Sequence, residues 1–276
     1  GRAMTSCDWP NHPPRLPAEC TTFLLSSASS TSVEVPVVDA KQTLQKVTPV
    51  KWRSQKGQDK WVFQTLHAKK GGYFIDLAAN DPIGGSNSFT LEQEYGWKGI
   101  CIDGNPAYID LYRQKRFCRP VHAAVDCFAG KEVEFVQLGQ DSGIVDEAGD
   151  NKPQASKTRK GSIVKLKTQT LAGILADAGA PSIIDYLSLD IEGFEYQALV
   201  TFPFNQYVFR TITIERPPPW LNKLLLDNGY VWMKNSQYDS FYVHSSEVTV
   251  LKAAGRDSIT RVEQISMKCG GRAMTS

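Results

Sequence analysis

The sequence predicts an α/β protein in which helices cover both faces of a mostly parallel β-sheet that ends in an antiparallel edge. Short apolar runs typical of buried strands alternate with amphipathic segments from about residue 73 onwards, and such alternation is typical of a parallel sheet. The last amphipathic segment is followed by two strands with no helix between them. With 276 residues, 41% of them hydrophobic and 22% charged, the chain is long enough to bury a substantial core.

The first half of the pattern contains four predicted strands and two predicted helices. The strands are residues 73–77, 99–103, 120–125 and 132–138, and the helices are residues 86–95 and 106–116. The first strand is an apolar run that follows two glycines, and the fourth alternates between apolar and polar residues. The second helix begins with Pro106, whose fixed φ suits the first turn of a helix.

The second half contains three predicted helices and four predicted strands. The helices are residues 171–178, 193–200 and 217–228, and the strands are residues 183–190, 208–215, 230–233 and 241–244. Gly179 and Gly229 directly follow two of the helices. Glycine is common there because a residue with positive φ often ends a helix.

Residues 51–250 are predicted to form the folded domain, with tails at 1–50 and 251–276. The same hexapeptide stands at both ends of the chain, and we interpret both copies as vector-derived. Residues 7–50 are rich in Pro, Ser and Thr and are typical of a linker or stalk, with one short strand at 33–38. Residues 140–161 are predicted to be a long loop that carries a basic run at 157–160.

The stalk-like segment gives information about the cellular compartment of the protein. It resembles the stalk of a luminal Golgi enzyme, and we expect the full-length protein to carry an N-terminal anchor before it. The alternative is a cytoplasmic enzyme with a disordered tail. Cys118 and Cys127 bracket the strand at 120–125, and we expect them to be bridged in a luminal protein and free in a cytosolic one.

Charge and hydropathy argue against several classes of function. Lys and Arg total 31 against 29 Asp and Glu, a net charge of +2, so nucleic acid is not the expected partner. No apolar run approaches the roughly 18 residues of a membrane span, and no membrane contact is expected from this part of the protein. The six cysteines show no C-x-x-C spacing, which argues against a zinc site.

Acidic residues lie near the ends of the first two strands, where ligands of open α/β sheets bind. Asp76 lies in the first strand, which small residues and a helix start follow, and Asp103 ends the second. An acidic residue at the second position can accept hydrogen bonds from both ribose hydroxyls of an adenosine. Each aspartate alone is better explained by turn or cap chemistry, but together they favour a nucleoside cofactor. The G-x-G-x-x-G motif is absent, which disfavours NAD and FAD, whereas S-adenosylmethionine has no phosphate and does not need that motif.

Several segments occur in the order of a known family. They are SQKGQD at 54–59, FIDLAAND at 74–81, SNS at 86–88, GWKGICIDGNP at 96–106, TL at 170–171 and IDYLSLDIEGFE at 184–195. The ordered set, over about residues 54–244, resembles the FkbM family of S-adenosylmethionine-dependent methyltransferases. The family often has Gly-Ala-Asn where this chain has Ala78-Ala79-Asn80. It often has Glu-Pro-Asn-Pro where this chain has Asp103-Gly104-Asn105-Pro106, and Asp for Glu keeps the carboxylate.

The resemblance implies a Rossmann-like class I methyltransferase fold and transfer of a methyl group to an oxygen, with hydroxyls of saccharides or glycans as typical acceptors. From the motifs and strand ends we expect nine residues to bind the cofactor: Asp76, Ala78, Asn80, Ser86, Asn87, Asp103, Asn105, Ala124 and Asp190.

Methyl transfer from a sulfonium requires the protein to align the acceptor hydroxyl and remove its proton. The candidate catalytic residues are Asp190, Glu192 and His122. Asp190, Glu192 and Glu215 follow or end neighbouring strands and could bind Mg²⁺, which would lower the pKa of the hydroxyl, or one carboxylate could act as the base directly. Glu195, in a first helical turn, is expected to be structural.

Two features have both a structural and a functional explanation. Trp220 could pack in the core or stack on a pyranose, and the basic run at 157–160 could be a solvated loop or a binding element for a uronic or sulfated acceptor. Two other functions stay open. A nucleotide-cofactor oxidoreductase is disfavoured by the missing glycine motif. A non-catalytic binding or trafficking module on the same scaffold is disfavoured by the acidic and amide residues retained at the strand ends.

Overall fold

The computed structural model describes residues 50–146, Asn151 and residues 161–248, together with Pro13, Leu16 and Cys20. The predicted strand at 33–38, the basic run at 157–160 and both end hexapeptides lie outside the described residues. Among the described residues, no helix combines the length and the apolar character that a membrane span requires.

The described strands and helices follow the predicted alternation. The strands are β1 (Tyr73–Leu77), β2 (Lys98–Asp103), β3 (Arg119–His122), β4 (Ala124–Val125), β5 (Glu132–Gln137), β6 (Gly143–Ile144), β7 (Ser162–Gln169), β8 (Ile183–Leu189), β9 (Val208–Glu215), β10 (Tyr230–Ser236) and β11 (Asp239–His244). The helices are α1 (Gln58–Thr65), α2 (Phe89–Tyr95), α3 (Pro106–Lys115), α4 (Leu171–Ala178), α5 (Glu195–Leu199) and α6 (Pro219–Asp227).

Seven strands form the main sheet in the order β10-β11-β9-β8-β1-β2-β3. The five strands from β9 to β3 are parallel, whereas β11 is antiparallel to both β9 and β10. The prediction of a mostly parallel α/β sheet is therefore confirmed. The reversed strand β11 lies one position inside the edge, because β10 returns to the direction of β9.

Helices pack on both faces of this sheet because successive side chains of a buried strand point to opposite sides. Phe74 in β1 packs in a cluster with Val62 of α1 and Leu91 of α2. Its neighbour Ile75 packs in a second cluster with residues of α4 and α6, including Leu175. The near-continuous burial of β1, β2 and β8 follows from this double cover.

A small second sheet, in the order β4-β7-β5-β6, differs from the prediction. The predicted strand at 120–125 is divided between β3, which pairs with β2, and β4, which pairs with β7. The break follows from register, because Asp103 at the end of β2 is opposite His122 and β2 has no further residue to pair. Strand β7, the short β6 and helix α1 were not predicted. Polar residues at buried positions of α1, such as Gln58 and Asp59, obscure its amphipathic pattern.

The residue that follows α3, Arg116, forms a fully buried ion pair with Glu92 of α2. The guanidinium Nε lies 2.7 Å from Glu92 Oε2, and the two side chains are 0% and 1% exposed. Arg116 also donates to the carbonyl oxygen of Pro82 and to the hydroxyls of Ser86 and Ser88. One cation therefore satisfies several acceptors of the segment that joins β1 to α2.

Replacing Arg116 should destabilise the protein far more than replacing an exposed arginine of the same region. Arg116→Ala leaves Glu92 buried without a cation, and we expect a loss of about 3–5 kcal/mol in the free energy of unfolding. The control is Arg113→Ala, since Arg113 pairs with Asp110 at the surface and should change stability by less than about 1 kcal/mol. Urea unfolding followed by circular dichroism measures both. Equal losses would contradict the assignment.

The predicted pairing of Cys118 with Cys127 is wrong. Cys118 pairs with Cys101 of β2, with Cα atoms 5.9 Å apart, and Cys127 pairs with Cys20, with Cα atoms 5.6 Å apart. The extended residues of β3 and β4 lie between Cys118 and Cys127, and at about 3.3 Å per residue they hold the two apart.

Peptide mapping under non-reducing conditions should recover the linked pairs Cys101–Cys118 and Cys20–Cys127. Their peptides should separate after reduction. A peptide in which Cys118 is linked to Cys127, or free thiols at these four positions, would contradict the pairing.

Candidate functional site

Two adjoining clefts lie at the carboxyl edge of the parallel strands. The apolar cleft, of about 470 Å³, is lined by the ends of β1 and β2 and by the small sheet, with Leu77, Ile102, Ala124, Val125 and Phe135 among its walls. The acidic cleft, of about 640 Å³, is lined by Asp76, Asp81, Asp190, Glu215 and Asp239. Ala78, Asn80 and Gln140 line both.

The turns that carry these residues hold strained backbone. Ala78 and Asn80 after β1, Glu192 after β8 and Arg216 after β9 have φ values of 59°, 53°, 55° and 43°. A positive φ costs a non-glycine residue free energy, and such residues cluster at functional sites. The ends of β1, β8 and β9 thus share strained backbone, which the packing of the core does not require.

Asp103 is buried at the junction of β1 and β2. One carboxylate oxygen accepts from the backbone N–H of Asn80 at 2.9 Å, and the other accepts from the N–H of Asn105 at 2.7 Å. Burial raises the pKa of Asp103 to about 6, although both backbone hydrogen bonds act in the opposite direction. The carboxylate is thereby fixed in orientation, and each oxygen keeps a lone pair for a ligand.

Asp76 is held by residues that lie just before α2 and just after α3. Its carboxylate accepts from Ser88 Oγ, which itself accepts from Arg116 at 2.9 Å. Burial raises the pKa of Asp76, while the Ser88 hydrogen bond and the charge of Arg116 lower it. The hydroxyl of Tyr112 donates to the carbonyl of Ala79. A hydrogen-bond network centred on the cation of Arg116 therefore holds Asp76 in the lining of the acidic cleft. No pattern in the sequence pointed to Arg116.

The Gly104 position explains why the chain departs from the family pattern after Asp103. A Cβ atom there would lie 2.4–2.7 Å from three ring atoms of Phe135. The ring of Phe135, on β5, thus occupies space that any larger residue would need. Gly104 and Phe135 both line the apolar cleft.

His122 does not join the predicted catalytic group. Its side chain is exposed, its Nε2 lies 3.0 Å from the carbonyl oxygen of Gly104, and it lines neither cleft. The prediction was that His122, within the strand at 120–125, could reach the site, with a structural histidine as the alternative. In the sheet, β2 and β1 lie between β3 and β8, so His122 is kept apart from Asp190.

Asp190, Glu192 and Glu215 do come together, with one oxygen of each within 4.8 Å of the others. Arg216 donates to Glu192 Oε2 at 3.1 Å and to Glu215 Oε2 at 2.8 Å. Burial, together with the charges of Glu215 and Glu192, raises the pKa of Asp190 well above its usual value. The three carboxylates are close enough to share a cation, but the guanidinium of Arg216 already balances two of them.

The remaining predicted residues have distinct surroundings. Ser86 and Asn87 line the acidic cleft and Ala124 the apolar one. Asn105 lines neither, because its side chain caps α3 by accepting from Ala107 N–H. Glu195 accepts from the N–H groups of Ile191 and Gly193, and burial raises its pKa to about 7. It closes the turn after β8, in line with the structural role expected of it.

Three buried oxygen atoms of the acidic cleft have no hydrogen-bond partner within the part of the chain that the structure describes: Asn80 Oδ1, Asn87 Oδ1 and Asp190 Oδ1. All three side chains line that cleft. An unsatisfied buried acceptor costs free energy, and it persists in functional sites where a ligand satisfies it. The cleft is therefore short of hydrogen-bond donors.

Sequence reasoning missed Asp239 and Gln58. Asp239 begins the antiparallel strand β11, so its amino end lies at the same edge as the carboxyl end of β9, opposite Glu215. Gln58 Nε2 donates to Asp239 Oδ2 at 3.1 Å. Burial, and then the charge of Glu215, raises the pKa of Asp239 to about 7. The position of Asp239 beside Glu215 could have been predicted if the antiparallel direction of β11 had been known.

The model of the methyltransferase FkbM domain matches residues 76–238, more than half of the chain. The chain belongs to the FkbM methyltransferase family. The matched region begins at Asp76, ends at Tyr238 and contains Asp103 and Asp190. Membership of this FkbM family indicates a methyltransferase, and methyltransferases in general use S-adenosylmethionine. No curated protein sequence matches the chain.

A side chain at Gly104 should weaken cofactor binding to this FkbM methyltransferase. In Gly104→Ala, the new Cβ requires the Phe135 ring to move. Because that ring lines the apolar cleft, we expect the cleft to change shape and the affinity for S-adenosylhomocysteine to fall about 10-fold. Adding Phe135→Leu should recover part of the loss by making room. Titration calorimetry measures both. A Gly104→Ala protein with unchanged affinity would show that the ring does not border the cofactor.

Proposed function

We propose that the chain is an S-adenosylmethionine-dependent O-methyltransferase that methylates a hydroxyl of a saccharide or glycan. The observation that carries the proposal is the meeting of an apolar cleft containing Asp103 with an acidic cleft containing Asp190 at Ala78 and Asn80. A nucleoside and a polar acceptor can therefore approach one point from two sides.

The residues present fit the cofactor. The apolar cleft suits a purine ring, and Asp103, fixed by Asn80 and Asn105, suits the ribose hydroxyls. The unsatisfied oxygens of Asn80 and Asn87 suit an ammonium group. When bound, S-adenosylmethionine supplies an activated methyl group on a sulfonium. Asn105 would act through Asp103 and not by direct contact.

Removal of the acceptor proton falls to the carboxyl pair of Asp190 and Glu215. Asp190 N–H donates to the carbonyl of Leu77 at 3.3 Å, which ties the backbone of Asp190 to the end of β1. Burial, and then the neighbouring carboxylates, raise the pKa of Asp190, and a base with a raised pKa is better matched to a hydroxyl than an ordinary carboxylate. Arg216 holds Glu215 and Glu192 in place.

The carboxylates favour direct base catalysis over a Mg²⁺ ion. A divalent ion bound by Asp190, Glu192 and Glu215 would have to displace Arg216, which already compensates their charge. Mg²⁺ prefers oxygen ligands that are free to surround it octahedrally.

Two features support the finer parts of the proposal. Strands β3, β2, β1, β8 and β9 are parallel in the order of a doubly wound sheet with its switch point between β1 and β8, as in a Rossmann-like fold. The pairs Cys101–Cys118 and Cys20–Cys127 support a Golgi-luminal or other secretory location, because disulfides persist in oxidising compartments.

Asp103 should determine cofactor affinity. Asp103→Ala removes one or two charge-assisted hydrogen bonds, and we expect the affinity for S-adenosylhomocysteine to fall roughly 30- to 1000-fold. Because the pKa of Asp103 is about 6, the carboxylate is ionised above that pH, so wild-type affinity should fall as the pH decreases through 6 and the variant should not respond. Calorimetry at several pH values measures both. Unchanged affinity in Asp103→Ala would reject this role.

Asp190 should be needed for transfer but not for the affinity for the cofactor. Asp190→Asn keeps the shape and removes the charge, and we expect transfer of labelled methyl groups to glycans to fall about 10²- to 10⁴-fold while S-adenosylhomocysteine still binds. Wild-type activity should survive EDTA, because a direct base requires no cation. Loss of activity in EDTA, restored by Mg²⁺, would support the metal version instead. Near wild-type transfer by the variant would rule out both roles.

A further inference from the structure

We infer that the acidic cleft takes an uncharged, hydroxyl-bearing part of the acceptor and rejects anionic saccharides such as uronates and sulfate esters. This inference rests on the proposed function and adds the charge class of the acceptor to it. It does not follow from the basic run at 157–160, which led the sequence argument to consider an anionic acceptor.

The charge inventory of the cleft is one-sided. Among the described residues, five carboxyl groups line it, those of Asp76, Asp81, Asp190, Glu215 and Asp239, together with one lysine, Lys56. Arg216 is near, but its guanidinium is held by Glu192 and Glu215. Carboxyl groups therefore outnumber the basic groups of the described lining.

Repulsion within the cleft is already present. The charge of Glu215 acts on Asp239 and on Asp190 and raises the pKa of both. A further anion placed among these groups would add to that repulsion in a partly desolvated site, where charges interact more strongly than in water. A neutral hydroxyl meets no such penalty.

The hydrogen-bonding groups of the cleft also favour a neutral acceptor that carries hydroxyl groups. Among the described residues, no donor reaches the buried Oδ1 of Asp190, and an ionised carboxylate can only accept. Hydroxyl groups donate, whereas a sulfate ester or an ionised uronate offers only acceptors at its charged group. Tyr238, which is 56% exposed, lines the same cleft and offers an aromatic face to a sugar ring.

The experiment uses glycans released from glycoproteins and separated into neutral and acidic pools by anion exchange. The full chain is incubated with each pool and methyl-labelled S-adenosylmethionine. We expect label in the neutral pool at least 10-fold above the acidic pool, and we expect the acidic pool to gain acceptor activity when its carboxyl groups are converted to neutral amides. Equal labelling, or preference for the acidic pool, overturns the inference and leaves the proposed function intact. No label in either pool, although S-adenosylhomocysteine binds, overturns the proposed function and the inference with it.

Two substitutions of Gln55 form a matched pair that tests the effect of charge on the choice of acceptor. It is exposed at the rim, lines the cleft and lies against Gly85, where a Cβ would be 3.3 Å from Gln55 Cγ. Gln55→Lys should raise the ratio of acidic to neutral labelling about 3- to 10-fold, the size of one added charge at the rim, and Gln55→Glu should lower it. Calorimetry with S-adenosylhomocysteine confirms that both variants are folded. If both have the wild-type ratio, charge does not select the acceptor and the inference fails.

Discussion

The buried guanidinium of Arg116 is the interaction on which the cofactor side of the site depends. It neutralises Glu92 and binds Pro82 and Ser88 in the segment between β1 and α2. Ser88 in turn donates to Asp76. A buried charge is tolerated only when its partners are all in place. The packing of α2 and α3 therefore determines the position of this segment. It also determines where the side chains of the segment enter the acidic cleft.

The parallel sheet then determines where chemistry can occur. Strands β1, β2, β8 and β9 all end at one edge, so the turns after them converge, and strained residues such as Ala78 and Glu192 collect there. Strand β11 adds its first residue, Asp239, to the same edge because it is reversed. One cleft becomes apolar because the small sheet covers it with Phe135, and the other becomes acidic because β1, β8, β9 and β11 all bring carboxyl groups to it.

Charge compensation divides the acidic residues into two groups. Glu192 and Glu215 share the cation of Arg216. Asp239 accepts from the neutral amide of Gln58 and is acted on by the charges of Lys56 and Arg216, whereas Asp190 retains an oxygen without a partner among the described residues. Asp190 is therefore the carboxyl group whose hydrogen bonding a ligand can complete. A cleft built in this way selects hydrogen-bond donors and disfavours anions, which links the electrostatics of the strand ends to the choice of acceptor.

The sequence by itself determined the alternation of strands and helices, the parallel sheet, the two strand ends that carry Asp76 and Asp103, and the grouping of Asp190, Glu192 and Glu215. These features depend on local periodicity and on the rule that parallel strands end together. Only the tertiary structure decided the partners of Cys118 and Cys127 and the separation of His122 from Asp190. It also decided the burial of Arg116 and the position of Asp239 beside Glu215. Each of these depends on which strands are neighbours and in which direction they run, and residues distant in the chain contact one another only after the sheet has formed.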